Sequence, residues 1–189
     1  MNDIKKAISE SAELILSMAV DEAEISKICE MVVKCLKSGG KIMTAGNGGS
    51  AAEALHMSEE LVGRFRSNRR SLPAIALVAD PTVITCIAND FGYDHVFGRQ
   101  IEGLGRKDDV LVLFSTSGNA KNLMLALNEA KGLGVKTVAL LGRDGGPMAG
   151  KADLQVIVRG MVTERIQEAH QVLLHIILDA VEKAFVKKD

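Results

Sequence analysis

Hydrophobic and polar positions change rhythm near residue 40. Before it, Ile4, Ile8, Ser11/Ala12, Ile15 and Met18 recur at helical spacing and predict a helix over 2–20. Asp21 with Glu24 resembles a capping box and opens a second predicted helix. That helix carries Ile25, Ile28, Val32, Cys35 and Leu36 inward and stops at Ser38-Gly39-Gly40. The two form an N-terminal helical hairpin, either a cover for one face of a sheet or an oligomer contact.

After Gly40 the pattern becomes short apolar runs, at 41–45, 74–78, 110–114, 136–141 and 154–158. Most are continuous rather than alternating, as in parallel strands buried on both faces. Helices are predicted between them at 50–63, 82–89, 94–103 and 120–132. Strands alternating with helices predict a doubly wound α/β fold. Ligands of such folds bind beyond the carboxyl ends of the strands, here the turns at 46–50, 79–82, 115–119 and 142–147. A last helix, 161–185, is apolar on nearly all sides except for a stripe of Gln167, Gln171, His175 and Asp179, each four residues from the next. So apolar a helix is expected to be buried, in part against another subunit.

Composition narrows the class. The 189 residues suit one domain, and 47% apolar content suffices for one core. A formal net charge of −1 gives no reason to expect nucleic acid as a partner. Cys29, Cys35 and Cys86 have no CxxC spacing and read as reduced thiols of a cytoplasmic protein. The start, MNDIKKAISE, lacks the apolar core of a signal peptide, and no run is long enough to span a membrane.

The candidate chemistry sits on two turns and two helices. Gly46-Asn47-Gly48-Gly49-Ser50 joins a strand to a helix, an arrangement that aims backbone N–H groups at an anion. Ser115-Thr116-Ser117-Gly118-Asn119 does the same after another strand, with three hydroxyls. Either alone reads equally as an N-cap and polar turn; two together favour phosphate. His56 and Glu60 share a helix face four residues apart. With a glutamine of the late helix and His175 they make a mixed N/O donor set for a Zn²⁺-like ion. Alternatively Glu60 and His175 form an acid/base pair without metal. Arg64, Arg66, Arg69 and Arg70 read as a solvated loop, with Arg64 the one suited to reach a phosphate across a subunit boundary. Asn89 and Asp90 either cap a helix or bind sugar hydroxyls.

These stretches resemble a known family. GNGGSAAEALHMSEELVGRF (46–65), PAIAL (73–77), ANDFGYDHVFGRQIEGLGRKDDVL (88–111), STSGN (115–119), DGGPMAG (144–150) and RIQEAHQVLLHIILDAVE (165–182) are similar to the sugar isomerase (SIS) domain proteins. Within that group they resemble the phosphoheptose isomerases. The resemblance implies a three-layer αβα sandwich around a five-stranded parallel sheet, in one domain over 1–189. That domain divides into N-terminal helices (1–38), a core (40–160) and an interface helix (161–186). It implies a homotetramer with active sites between subunits, and conversion of D-sedoheptulose 7-phosphate to D-glycero-D-manno-heptose 7-phosphate for heptose-containing surface glycans. By position it makes Glu60 and His175 the acid/base pair. It places Asn47, Gly48, Gly49, Ser50, Glu60, Asn89, Asp90, Ser115, Thr116, Ser117, Ala120 and Gln167 against the substrate. His56, Glu60, Gln167 and His175 become the ligands of one zinc per subunit. Two positions depart from the family pattern. Ala120 stands where a serine is common, removing a hydroxyl from the phosphate cradle, and Glu164 where a shorter aspartate is common. Two rivals stand beside this reading: a non-catalytic SIS protein that binds a sugar phosphate or acts as a scaffold, and an isomerase of another sugar phosphate. Relatives of the non-catalytic kind lack the glutamate and late histidine present here.

Overall fold

Each continuous apolar run forms a strand. The computed structural model describes residues 2–186; Met1 and residues 187–189, which the single-domain reading includes, lie outside the described residues. The strands are β1 (Ile42–Gly46), β2 (Ala74–Ala76), β3 (Val110–Ser115), β4 (Lys136–Gly142) and β5 (Leu154–Val158). They make one parallel sheet in the order β2-β1-β3-β4-β5. Its register sets Ile42 beside Ala74 on one side and Val110 on the other.

The continuous runs are explained by where alternate residues go. Val110, Val112 and Phe114 enter one core, and Leu111 and Leu113 the other. Val138 and Leu140 likewise part from Ala139 and Leu141. Both faces are dry, so no position needs to be polar. One face is covered by α2 (Glu22–Lys37), α3 (Gly49–Val62) and α7 (Thr163–Phe185), the other by α4 (Pro81–Phe91), α5 (Gly98–Leu104) and α6 (Lys121–Gly132). The result is a three-layer αβα sandwich. α1 (Asn2–Ser17) runs into α2 through a 3-10 turn, Met18–Asp21, and both helices lie along α7.

Local expectations need three corrections. The Asp21/Glu24 capping box does not form: the Asp21 side chain makes no capping hydrogen bond, because the 3-10 turn leads straight into the helix. The strand expected over 74–78 stops at Ala76, being an edge strand paired with β1 alone. The helix expected over 94–103 divides into a 3-10 turn, Tyr93–His95, and α5.

α3 positions the site. Alanine, leucine and methionine make it an intrinsically good helix. Ser50, Glu53, Ala54, Met57, Ser58 and Leu61 are its buried residues, at the i, i+3, i+4 spacing of one inward face. The Thr44 hydroxyl of β1 donates to the Ala54 carbonyl (2.7 Å) and lies 2.8 Å from Ser58 Oγ, a polar tie inside the apolar layer. With this face inward, His56 and Glu60 fall on the half-buried flank that meets α7.

Candidate active site

The flanks of α3 and α7 bring His56, Glu60 and His175 together within one chain, with Gln171 between the two imidazoles. His56 Nε2 lies 3.3 Å from Glu60 Oε1. The Gln171 amide contacts His56 Nδ1 and reaches His175 Nε2 at 3.5 Å. The two imidazoles meet edge to face, with centroids 5.2 Å apart. Phe65 stacks on His175 at 5.8 Å, and the Arg66 guanidinium covers Phe65 at 4.6 Å.

These contacts assign protons. An amide donating to His56 Nδ1 leaves the proton of a neutral imidazole on Nε2, facing the Glu60 carboxylate. His175 is held below its ordinary pKa, first by burial and then by His56, against the pull of Glu60. It therefore stands neutral near pH 7, able to accept a proton at one nitrogen and release one at the other. A cavity of about 320 Å³, lined by Arg66, Val172, His175, Ile176 and Asp179, opens beside it.

The donor set fits a metal ion. Ligating atoms of His56, Glu59 and Glu60 lie within 4.8 Å of one another, and His175 and Gln171 add an imidazole and an amide. Sequence reasoning chose Gln167 as the glutamine of this set. Gln171, one turn further along the same stripe, is the glutamine that bonds both histidines. Gln167 sits at the other end of the seam, against the glycine turn. A Cβ on Gly49 would lie 2.3 Å from Gln167 Nε2, so only glycine allows this approach.

The two turns are side by side, because β1 and β3 are neighbours in the sheet. In the first, Gly48 takes φ +57° and the Ser50 N–H closes on the Asn47 carbonyl at 3.0 Å. In the second, the buried Ser115 Oγ accepts from the Gly118 N–H (3.0 Å), which occupies one of the three hydroxyls. Thr116 and Ser117 are half-buried, and Ser117 Oγ accepts from Asn119 N at 3.3 Å. Ala120 is the N-cap of α6 and supplies no capping side chain. Asn89 and Asp90 are exposed on the last turn of α4, where Asn89 donates to Asp90 (2.8 Å). Among the described residues neither is hydrogen-bonded to the His56 cluster.

Several participants went unread in the sequence. Asn122 and Tyr93 both bond Asn47. His170, fully buried on α7, has Nε2 3.2 Å from the Leu141 carbonyl and Nδ1 3.8 Å from Glu53 Oε2, beneath the seam. The Arg64–Arg70 loop is not uniformly solvated. The Arg69 side chain is 1% exposed, donates to the Glu60 carbonyl (2.7 Å) and the Leu61 carbonyl (3.0 Å), and pairs with Glu182 (3.3 Å). A single arginine among four had no local signal that would single it out.

The SIS domain family model matches residues 8–142. The chain is 44% identical to a phosphoheptose isomerase of Vibrio cholerae, over 95% of this chain and 96% of that one. It is 48% identical to one of Helicobacter pylori strain Shi470, over 84% and 83%. The solved phosphoheptose isomerase of Neisseria gonorrhoeae superposes with a TM-score of 0.91 at 36% identity, covering 96% and 98% of the two chains. With its sequence and fold thus matched along nearly its whole length, the chain belongs to the SIS domain family and, within it, to the phosphoheptose isomerases.

Proposed function

We propose that this chain is an aldose–ketose isomerase converting D-sedoheptulose 7-phosphate to D-glycero-D-manno-heptose 7-phosphate, the entry step to nucleotide-activated heptose for surface glycans. The observation that carries the site assignment is the seam itself: Glu60, His56, Gln171 and His175 share one cluster on helices that begin at or beside the two turns.

The reaction moves hydrogen between C1 and C2. Glu60 removes a proton from C1; the C1–H electrons form the C1=C2 bond of an enediol while O2 gains a proton. O1 then loses its proton to restore a carbonyl at C1, and Glu60 returns its proton to C2. His175 carries protons between O1 and O2, a role its neutral state allows. We assign one zinc ion to His56, Glu60 and His175 with Gln171 or Gln167; bound there, it supplies Lewis-acid polarisation of the sugar carbonyl. Backbone N–H groups of 47–50 and the hydroxyls of Thr116 and Ser117 take the phosphate. Asn89 and Asp90 are assigned to sugar hydroxyls, since Tyr93 on the following turn already reaches Asn47.

We infer a homotetramer, and helix geometry supports a site shared between neighbouring chains. Gly49 and Glu60 are about 16 Å apart along α3, and Gln167 and His175 about 12 Å apart along α7, at about 1.5 Å per residue. The cradle and the base thus lie toward opposite ends of the seam, and we infer that a neighbouring chain brings cradle and cluster together. The unpaired Cys29, Cys35 and Cys86 support a reducing, cytoplasmic setting. No helix among the described residues is long and apolar enough to cross a membrane. We read 1–189 as one SIS domain, since α7 packs on α2 and α3.

The test incubates the protein with sedoheptulose 7-phosphate and with ribulose 5-phosphate, before and after chelation, and follows the aldose by NMR. Turnover of the seven-carbon ketose, lost with chelator and restored by Zn²⁺, is expected. Turnover of the pentose alone would transfer the chain to another isomerase class. Binding without turnover would leave a sugar-phosphate receptor.

A further inference from the structure

We propose that Asn122 is a positioning residue that, through Asn47, locks the glycine turn against the hydroxyl turn so that the two make one phosphate seat; this rests on the isomerase reading above. Asn122 is the second residue of α6, just after the hydroxyl turn, and its side chain is buried at 3% exposure. Asn47 Nδ2 donates to Asn122 Oδ1 at 2.9 Å, and Asn122 Nδ2 donates back to Asn47 Oδ1 at 2.9 Å. The two amides close a ring of two hydrogen bonds, which fixes relative orientation as well as distance. The Tyr93 hydroxyl donates to the same Asn47 Oδ1 at 3.0 Å, and an ion pair of Lys121 with Asp94 ties the Tyr93 turn to α6 a second time.

The valence count of Asn47 follows. An amide oxygen accepts two hydrogen bonds and an amide nitrogen donates two. Both acceptor sites of Asn47 are taken, and one of its two N–H donors is taken. Its side chain is thus bound to protein rather than free for sugar hydroxyls that need an acceptor. What Asn47 controls is the backbone that follows it: Gly48 at φ +57° and the start of α3. A buried amide pair is strict about geometry, because loss of one partner leaves the other's polar atoms unsatisfied in a dry site. Without Asn122, nothing else bonded to Asn47 among the described residues comes from the hydroxyl turn's own helix. The pairing of Gly46 with Phe114 would still keep the turns adjacent, but the N–H groups of one would no longer be held in a fixed orientation toward Thr116 and Ser117 of the other.

The test uses inorganic phosphate as the probe, by calorimetry and as a competitive inhibitor, alongside turnover of sedoheptulose 7-phosphate. Asn122→Ala is expected to weaken phosphate binding and raise KM in parallel by about tenfold, with kcat within threefold. In an Asn47→Ala background the same substitution should add less than twofold, since Asn122 acts through Asn47. A merely structural role would lower the melting temperature and leave phosphate affinity and KM alone; that result overturns the proposal, as does an equal effect of Asn122→Ala in both backgrounds. If Asn122→Ala does not fold, the smaller polar change Asn122→Ser carries the test: an unchanged phosphate affinity overturns the proposal, and a tenfold loss that is absent in the Asn47→Ala background supports it. Phosphate binding without turnover by the parent protein would sink the isomerase reading while leaving the role of Asn122 measurable.

Discussion

Glu60 and His175 answer to their surroundings, not to their identities. A glutamate on a helix flank is ordinarily a solvated anion; here a histidine N–H faces it and Arg69 holds the helix turn that carries it. Glu60→Gln keeps the shape and removes the proposed base, so kcat is expected to fall by about 10²–10⁴-fold with the fold intact, read by steady-state kinetics beside a thermal melt. His175 sets a pH dependence with a definite sign. Its folded pKa lies below the value near 6.5 of an unfolded imidazole, so the unfolded chain binds the proton first. The stability involved is complete above about pH 6.5 and is lost as pH falls through the folded value. Urea midpoints of chelated protein at pH 8 and pH 5 should therefore converge less in the parent than in His175→Gln, whose acid loss is smaller. The thiols separate by burial: Cys35 is pushed up to about 11, first by desolvation and then by Asp109, while Cys86 is exposed. At pH 8 a thiol reagent should modify Cys86 quickly and reach Cys35 only on unfolding. Glu60, His56 and His175 could be named from spacing and residue type. That Gln171 bonds both imidazoles while Gln167 lies against the glycine turn could not be read that way, because both lie on one stripe and only the approach of α3 sets what each one meets.

At the scale of elements, the ends of α3 decide whether the site exists. At its N-terminus a methyl group on Gly49 would meet the Gln167 amide, the free end of a flexible side chain, and turn it away. Gly49→Ala should therefore cost about 1 kcal/mol or less, and that cost should vanish in Gly49→Ala/Gln167→Ala, measured by urea unfolding. Its C-terminus is closed by Arg69, whose guanidinium satisfies two terminal carbonyls and pairs with the buried Glu182 of α7. Arg69→Ala leaves that buried carboxylate with the backbone N–H groups of Arg66 and Ser67 but no cation and should cost about 3 kcal/mol, while a substitution at the exposed Arg64 should cost almost nothing. Strands, helices and the two turns were legible because local rules set them: apolar runs, alanine-rich helix, glycine after a strand. The Arg69 bridge and the missing Asp21 cap were not, because their outcome depends on what a distant helix or an adjoining turn offers the side chain.

For the whole molecule, apolar surface stays exposed among the described residues at the end of α1 and the 3-10 turn after it. Leu16 is 74% exposed and Val20 81%, and beside them a cavity of about 350 Å³ is lined by Ile15, Leu16, Met18, Ile25, Val172 and Ile176. Surface of this kind is costly to leave in water and is commonly covered by another chain. Sedimentation should give four chains, and Leu16→Glu with Val20→Glu should give smaller species whose turnover falls with the loss of the neighbouring chain. The sequence by itself determined a doubly wound α/β fold and the two glycine- and hydroxyl-bearing turns at strand ends, since each follows from periodicity or from backbone rules acting within a few residues; the pairing of Glu60 with His175 rested on the family resemblance. Only the tertiary structure decided that α3 and α7 meet flank to flank, that Gln171 bridges the imidazoles, and that Asn122 clasps Asn47. Those contacts join residues 75 to 115 positions apart, and such pairings depend on sheet order and helix packing, which no local pattern encodes.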